Sequence, residues 1–256
     1  MKTFIVFLKK EILEQIRTKK LMILGLLFIF FGILNPLTAK MTPWLLEVLS
    51  ESMESSGINI TIVEITALDS WVQFFKNIPM LLIIFILMQS NVFSKEYQNG
   101  TLTLVLTKGF ERYKIVLSKM VVMLVVWSLG FLLCFGITYF YNAYFWDNSI
   151  VYNLFFSSLS WWIFGVFTII LFMSLATYFE SNGSALALTG GTVFLLYLIS
   201  LLPKINKFLP ITLTDGNSLI YDLKEVKYYL PSLIITICLS VVLVLISVLT
   251  FNKKKI

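Results

Sequence analysis

The chain has 256 residues, of which 58% are hydrophobic and only 13% are charged, with a formal net charge of +6 and a mean hydropathy of +0.89. Soluble domains average about 45–50% apolar and about 25% charged residues, so this composition excludes disordered, fibrous and ordinary soluble proteins and indicates a membrane protein. The absence of histidine excludes histidine metal sites and Ser-His-Asp triads, and the length leaves too little room for a soluble catalytic domain beside several spans.

Residues 1–20 precede the first apolar run and show helical periodicity. The apolar stripe consists of Ile5, Leu8, Ile12 and Ile16, and the polar side carries Lys10, Glu14 and Arg17. This pattern favours an amphipathic helix that lies in the inner membrane interface. A plain cationic anchor for the first span is the alternative.

Six runs without Asp, Glu, Lys or Arg are long enough, or nearly so, to cross about 30 Å of hydrocarbon as helices. The predicted spans are residues 21–37, 78–93, 120–141, 153–177, 185–202 and 231–251. The runs lack the alternation of a transmembrane β-barrel. We therefore expect an all-α polytopic membrane protein with a single transmembrane domain over residues 1–256.

The basic residues indicate the orientation of the chain. If both termini are cytoplasmic, 14 of the 20 Lys and Arg residues fall in inner segments, as the positive-inside rule requires. The positive charge is then a topology signal, and no nucleic-acid partner is expected. We expect a multi-pass protein of the cell membrane with both termini cytoplasmic.

The six predicted spans contain no Asp, Glu, Lys, Arg or His. Their strongest polar groups, Gln89 and Asn91, lie near the inner end of span 2 and are candidates for a substrate pathway or for helix packing. Ion-coupled carriers place titratable groups at mid-membrane, so this absence argues against secondary transport. A Walker A loop is also missing, so the chain itself is not expected to hydrolyse ATP.

The loop between spans 2 and 3 contains apolar residues outside the bilayer. Span 2 is predicted to continue to Glu96 and to end at Gly100, after which Thr101 caps a short helix with Leu102 and Leu104. The apolar side of such a helix must be shielded from water. Either it folds onto the membrane surface or it docks into a partner protein.

Span 5 begins with a stripe of small residues, Gly183, Ala187 and Gly191, at intervals of one helical turn. Small residues let a second helix approach closely, either within the bundle or along a pathway. The segment between spans 5 and 6 contains Pro203 and Pro210, and its composition predicts a partly re-entrant helical cap on the outer side.

Taken together, these features resemble the type-2 ABC transporter permease family, the membrane subunits of many bacterial ABC exporters. Three parts of the chain carry the resemblance: the Lys- and Glu-rich start at residues 9–17, the Asn35-Pro36-Leu37 end of span 1, and the loop after span 2. In that loop the family pattern corresponds to Glu96, Gly100-Thr101-Leu102, the leucine-rich residues 104–106, Arg112 and Lys119. Gly109-Phe110 departs from it, because many members have a Pro-containing turn there.

The resemblance implies that residues 95–119 form a cytoplasmic coupling loop seated in an ABC ATP-binding subunit. The implied coupling residues are Glu96, Gly100, Thr101, Leu102, Leu104 and Arg112, with Glu180 in the inner turn between spans 4 and 5. It also implies a second permease chain, as a homodimer or heterodimer, and a substrate path lined chiefly by spans 2 and 5. ATP and Mg would bind the partner, with no catalytic, cofactor or metal site on this chain.

The sequence thus predicts a non-catalytic permease of an ABC exporter. The uncharged spans favour an amphipathic or lipophilic substrate such as a peptide, an antibiotic or a lipid. A stand-alone channel or carrier is one alternative, and a non-transport membrane protein, such as an assembly factor, is another.

Overall fold

The computed structural model describes residues 2–53, 64–93, 107, 111–179 and 181–253. This part of the chain contains nine helices with the bounds α1 Lys2–Arg17, α2 Lys20–Met53, α3 Ala67–Gln89, α4 Arg112–Phe145, α5 Leu154–Tyr178, α6 Asn182–Ser200, α7 Pro203–Asn206, α8 Gly216–Ile220 and α9 Leu230–Lys253. Short 3-10 turns occupy Ser90–Val92, Asn148–Ile150, Pro210–Thr214 and Val226–Tyr228. The described residues contain no strand, which confirms the all-α fold class.

Six of these helices, α2, α3, α4, α5, α6 and α9, are long and apolar enough to cross a membrane. Their number confirms the six spans predicted from the sequence. The physical reason is that a chain in hydrocarbon must satisfy every backbone N–H and C=O internally, and a helix does so within one segment.

The first two spanning helices extend well beyond the charge-free runs. The loop expected between residues 39 and 77 is largely helical, because α2 continues to Met53 and α3 already begins at Ala67. Asp69 starts α3 by accepting a hydrogen bond from the backbone N–H of Thr66 at 2.8 Å. The charge-free runs therefore correspond to only part of each of these two helices, and the helices extend beyond them.

Pro36 does not end the first span, although the sequence suggested that it would. A proline leaves the carbonyl four residues earlier without its helical donor. Here that carbonyl belongs to Gly32, and the Thr138 hydroxyl of α4 donates to it at 3.1 Å. Asn35 links the same region, since it donates to Thr138 and accepts from Asn77 at 2.8 Å. Side chains of α3 and α4 thus provide hydrogen bonds that allow α2 to continue as a helix past Pro36.

Helix α5 forms the centre of the bundle. In its most apolar stretch 72% of the residues are buried, against 11% in α6 and 17% at the last span. It packs against α9, α4 and α6 and against the segment that joins α6 to α9. Gly165 lets α4 approach α5 closely, because a Cβ added there would lie 2.4 Å from the Trp127 ring of α4. With the smallest buried share, α6 is the most peripheral of the six spanning helices.

The segment between α6 and α9 is helical in short pieces, as its composition predicted. Its 3-10 turn Pro210–Thr214 and helix α8 pack onto α5, and the turn also contacts α6 and α9. The Ser157 hydroxyl of α5 donates to the Gly216 carbonyl at 3.0 Å, which fixes the start of α8. The membrane side on which this segment lies stays a prediction.

Candidate functional site

A cavity of about 540 Å³ lies between α3, α5 and α6. Its walls are formed by Pro79, Leu82, Ile83, Ile86 and Leu87 of α3, by Trp161, Phe164 and Thr168 of α5, by Leu186, Thr189, Gly190, Val193, Phe194 and Tyr197 of α6, and by Ile211 and Thr214 of the following 3-10 turn. The cavity exists because α6 touches α5 but leaves a gap toward α3. Small-molecule sites of proteins typically have volumes of about 300–1,000 Å³, so the space fits a ligand.

The surface of this cavity is apolar. Among the described residues that line it, none is charged. The hydroxyl groups of Thr168, Thr189 and Thr214 donate to the carbonyls of Phe164, Ala185 and Ile211 at 2.7–2.8 Å, so they are occupied by their own helices and turn. An apolar molecule can therefore enter without leaving these donors unpaired.

One side of the cavity continues onto an exposed face of the chain. Ile83 and Leu87 of α3 and Phe194 and Tyr197 of α6 line the cavity and are all exposed. An exposed apolar surface of this kind on a membrane helix contacts either lipid or another chain. The cavity is therefore accessible from the side rather than enclosed in the bundle.

The 3-10 turn at one end of the cavity is held by an ion pair. Asp215 directly follows the turn and accepts hydrogen bonds from Lys224 Nζ at 2.7 Å and from the Tyr229 hydroxyl at 3.1 Å. Burial raises the pKa of Asp215, but hydrogen bonds from Lys224 and Ser218 outweigh that effect and hold its pKa below the ordinary value of 3.8. The carboxylate therefore stays ionised and ties Ile211 and Thr214 in place.

At the other end, three polar contacts are made by described residues that precede or follow the central part of the loop that the sequence assigns to coupling. Gln89, at the end of α3, exchanges two hydrogen bonds with Gln15 of α1 at 2.9 and 3.1 Å. Asn91 accepts a hydrogen bond from Asn182 at the start of α6. Lys119 of α4 contacts Glu11 of α1. Both ends of the loop are thus attached to neighbouring helices.

Comparison with protein-family models gives a match to the ABC-2 family transporter protein over residues 5–215, from α1 to the end of the 3-10 turn beside the cavity. The chain belongs to this family. It is therefore a multi-pass membrane protein, and permeases of this family are in general non-catalytic membrane subunits that associate with an ATP-binding subunit. No curated protein matches the sequence of this ABC-2 family chain.

Most of the predicted coupling residues of this ABC-2 family protein lie outside the described residues, namely Glu96, Gly100, Thr101, Leu102, Leu104 and Glu180. Arg112 is described and is the first residue of α4, where it is half-buried. The coupling role of all seven residues stays a prediction.

The five residues predicted for a pathway or for helix packing do not line the cavity. Gln89 is fully buried against α1, so within this chain it connects helices. Gly183, Ala187 and Gly191 are exposed on α6, and a Cβ added at Gly191 would meet no described atom within 4 Å. The stripe therefore makes no close helix contact inside the described bundle and is free for contact outside it.

Sequence reasoning missed the main cavity residues, especially Trp161, Thr168 and Thr189. Thr189 and Gly190 lie within the small-residue region of span 5, which was the one available signal. No pattern in the sequence indicated that Trp161 and Thr168 of α5 line a cavity, because that role depends on how α6 packs against α5. Among the described residues no group of three or more His, Cys, Asp or Glu residues is placed to hold a metal ion.

Proposed function

We propose that the chain is the permease subunit of an ABC exporter and moves an amphipathic or lipophilic substrate out of the cell. The observation that carries the substrate class is the uncharged cavity between α3 and α6, whose threonine hydroxyls are all bonded to backbone carbonyls. A charged substrate would lose its hydration there without gaining a charged partner among the lining residues, which is costly. A peptide with apolar side chains, a lipophilic antibiotic or a lipid fits this surface.

A second permease chain completes the path in this proposal. The exposed residues Phe194 and Tyr197 lie on α6, the helix that also carries the small-residue stripe of Gly183, Ala187 and Gly191. The exposed residues of α3 lie across the cavity from α6. A helix from another chain can approach such a stripe closely. The partner is either an identical or a related permease, and the cavity then opens toward their interface.

A separate ATP-binding subunit, which binds ATP and Mg, drives the cycle in this proposal. It contacts residues 95–119 and the inner turn at Glu180, on the cytoplasmic side of a bacterial cell membrane. The polar contacts beside the loop support a mechanical connection. Gln89–Gln15 joins the end of α3 to α1, Asn91–Asn182 joins the turn after α3 to α6, and Lys119–Glu11 joins α4 to α1. Movement of the loop would then change the separation of α3 and α6 at the cavity.

The test is co-purification of the tagged chain with the ATP-binding subunit expressed from the same operon or genome. Glu96→Ala and Leu102→Asp are expected to lose the ATP-binding subunit or its stimulated ATP turnover, while membrane insertion is retained. Glu225→Ala and Leu223→Asp make the same chemical changes at two exposed residues of the α8–α9 segment and serve as matched controls. Normal assembly and turnover in both loop variants would contradict the coupling assignment.

Transport is measured in inverted vesicles with a fluorescent lipid analogue and a lipophilic dye. ATP-dependent accumulation is expected only when both subunits are present. Flux through vesicles that hold this chain alone, without ATP, would contradict the proposal and identify a stand-alone channel.

A further inference from the structure

Helix α1 exposes three of the four residues of its aliphatic stripe and buries two polar residues against the bundle, beside Phe7. Ile5, Ile12 and Ile16 are 61%, 47% and 53% exposed, whereas Glu11 and Gln15 are buried against α4 and α3. A surface helix of a soluble protein would bury the aliphatic residues and expose the polar residues. The exposed stripe therefore needs an apolar environment outside the described chain.

Three cations accompany this stripe. Lys9, Arg17 and Lys19 are exposed and have no carboxylate within salt-bridge distance in the described ranges. The carboxylates of the helix are already engaged, because Glu11 pairs with Lys119 and Lys10, and Glu14 pairs with Lys10. The outward side of α1 thus presents positive charge without an internal counterion.

Helical geometry puts the cations beside the aliphatic residues. At 100° per residue, Lys9 falls between the stripe of Ile5, Ile12 and Ile16 and the exposed side chains of Val6 and Leu13. Its aliphatic stem can lie along that surface while the ammonium group reaches the polar layer. Arg17 lies at the margin of the same face. This arrangement is typical of a helix that lies in a lipid headgroup region.

The corner between α1 and α2 extends this surface into the first span. Lys19 turns the chain there with a φ of 57°, and its backbone N–H donates to the Ile16 carbonyl at 3.0 Å. Immediately afterwards α2 exposes Met22 and Leu26. The aliphatic surface of α1 thus continues along the start of a membrane-spanning helix, and this continuity favours a lipid leaflet as its occupant.

We propose that the outward face of α1, together with its corner with α2, binds anionic phospholipid headgroups through Lys9 on α1 and through Arg17 and Lys19 at the corner, with the α1 stripe in the adjoining acyl region. The guanidinium of Arg17 matches a phosphate group with two hydrogen bonds, and the two lysines add point charges. The site does not depend on the proposed substrate or on the ATP-binding subunit. It makes the chain selective for the lipid around its cytoplasmic end.

The experiment is native mass spectrometry of the full-length chain from mixed micelles that contain equal amounts of dioleoyl phosphatidylglycerol and dioleoyl phosphatidylcholine. The triple variant Lys9→Gln/Arg17→Gln/Lys19→Gln is compared with Lys204→Gln/Lys207→Gln/Lys227→Gln, which removes the same charge from exposed lysines of the α6–α9 segment. A third variant, Lys9→Arg/Arg17→Lys/Lys19→Arg, keeps the charge on α1. Single Lys9→Gln and Arg17→Gln variants are measured as well, in case the triple variant is unstable.

Preferential retention of phosphatidylglycerol is expected for the wild type, with a loss of about fivefold in the lipid ratio for each α1 charge removed. The control triple variant and the charge-keeping variant should retain the wild-type ratio. Equal retention of the two lipids by the wild type, an unchanged ratio in the α1 variants, or the same loss in the control would overturn the proposal. Loss of a co-purifying protein with an unchanged lipid ratio would also overturn it, because the surface would then bind protein.

Discussion

The Nζ atom of Lys119 on α4 lies 3.0 Å from both carboxylate oxygens of Glu11 on α1, and both side chains are buried. The two residues are 108 positions apart in the chain. This contact attaches the N-terminal helix to the beginning of the third span, next to the predicted coupling loop. It is one of the contacts that hold α1 and α4 together.

Replacing Glu11 with Gln is expected to destabilise the protein by about 3 kcal/mol, because loss of one partner leaves the other charge of a buried pair poorly compensated. The measurement is thermal or detergent denaturation of the purified chain, in a double-mutant cycle with Lys119→Gln. A coupling energy near zero in that cycle would show that the contact does not hold α1 to α4.

Glu14→Gln is the matched control on the same helix. Glu14 pairs with Lys10 at 3.6 Å, and both side chains are about two-fifths exposed, so the substitution should cost less than about 1 kcal/mol. A cost equal to that of Glu11→Gln would mean that the loss of charge on α1, and not the buried contact, destabilises the protein.

Gly165→Ala is expected to destabilise the bundle by about 1–3 kcal/mol, because its added Cβ would lie 2.4 Å from the Trp127 ring between α5 and α4. Gly136→Ala in α4 is the control, since an added Cβ meets no described atom within 4 Å. Alanine favours a helix over glycine, so this control should be neutral or slightly stabilising. Denaturation midpoints of the two variants check the difference, and equal midpoints would contradict the close packing of α5 on Trp127.

The ion pair between Asp215 and Lys224 predicts that the stability of the segment at the end of the cavity depends on pH. The pKa of Asp215 in the folded protein lies below 3.8. The ion pair therefore contributes its full stabilisation above pH 3.8, and this stabilisation is lost as the pH falls through the lowered pKa. Asp215→Asn should therefore weaken the α7–α8 segment by about 1 kcal/mol at neutral pH, a value discounted for the partial exposure of the pair. Hydrogen exchange of residues 203–228 measures the effect.

Asp222→Asn removes the same charge from an exposed residue of that segment. Asp222 has a φ of 53°, a conformation that asparagine adopts readily, so exchange should stay close to wild type. If the two variants exchange equally fast at neutral pH, the ion pair does not hold the segment.

Filling the cavity should block transport. Gly190 lines it, and no described atom lies within 4 Å of an added Cβ, so Gly190→Trp can place an indole ring in the space. We expect ATP-dependent transport to fall several-fold while the ATP-binding subunit still co-purifies. Gly136→Trp has a similarly open position outside the cavity and should keep transport. Undiminished transport by the Gly190 variant would place the substrate path elsewhere.

The sequence by itself determined the class of the fold. An apolar chain in hydrocarbon must pair its backbone groups within each segment, so long charge-free runs could only become helices, and their number was readable. The resemblance carried by the loop after span 2 agreed with the family match over residues 5–215. The α1 helix was also readable, because its periodicity is local.

Only the tertiary structure decided where those helices end and which side chains meet. In isolation Pro36 is a signal for the end of a helix, yet α2 continues because Thr138, 106 residues after Gly32, supplies the missing donor. Gln89 was a pathway candidate by polarity, but Gln15 donates to its amide oxygen and accepts from its amide nitrogen in the buried contact with α1. The cavity depends on α6 packing against α5 while leaving a gap to α3. Such contacts join residues far apart in the chain, and local periodicity carries no information about them.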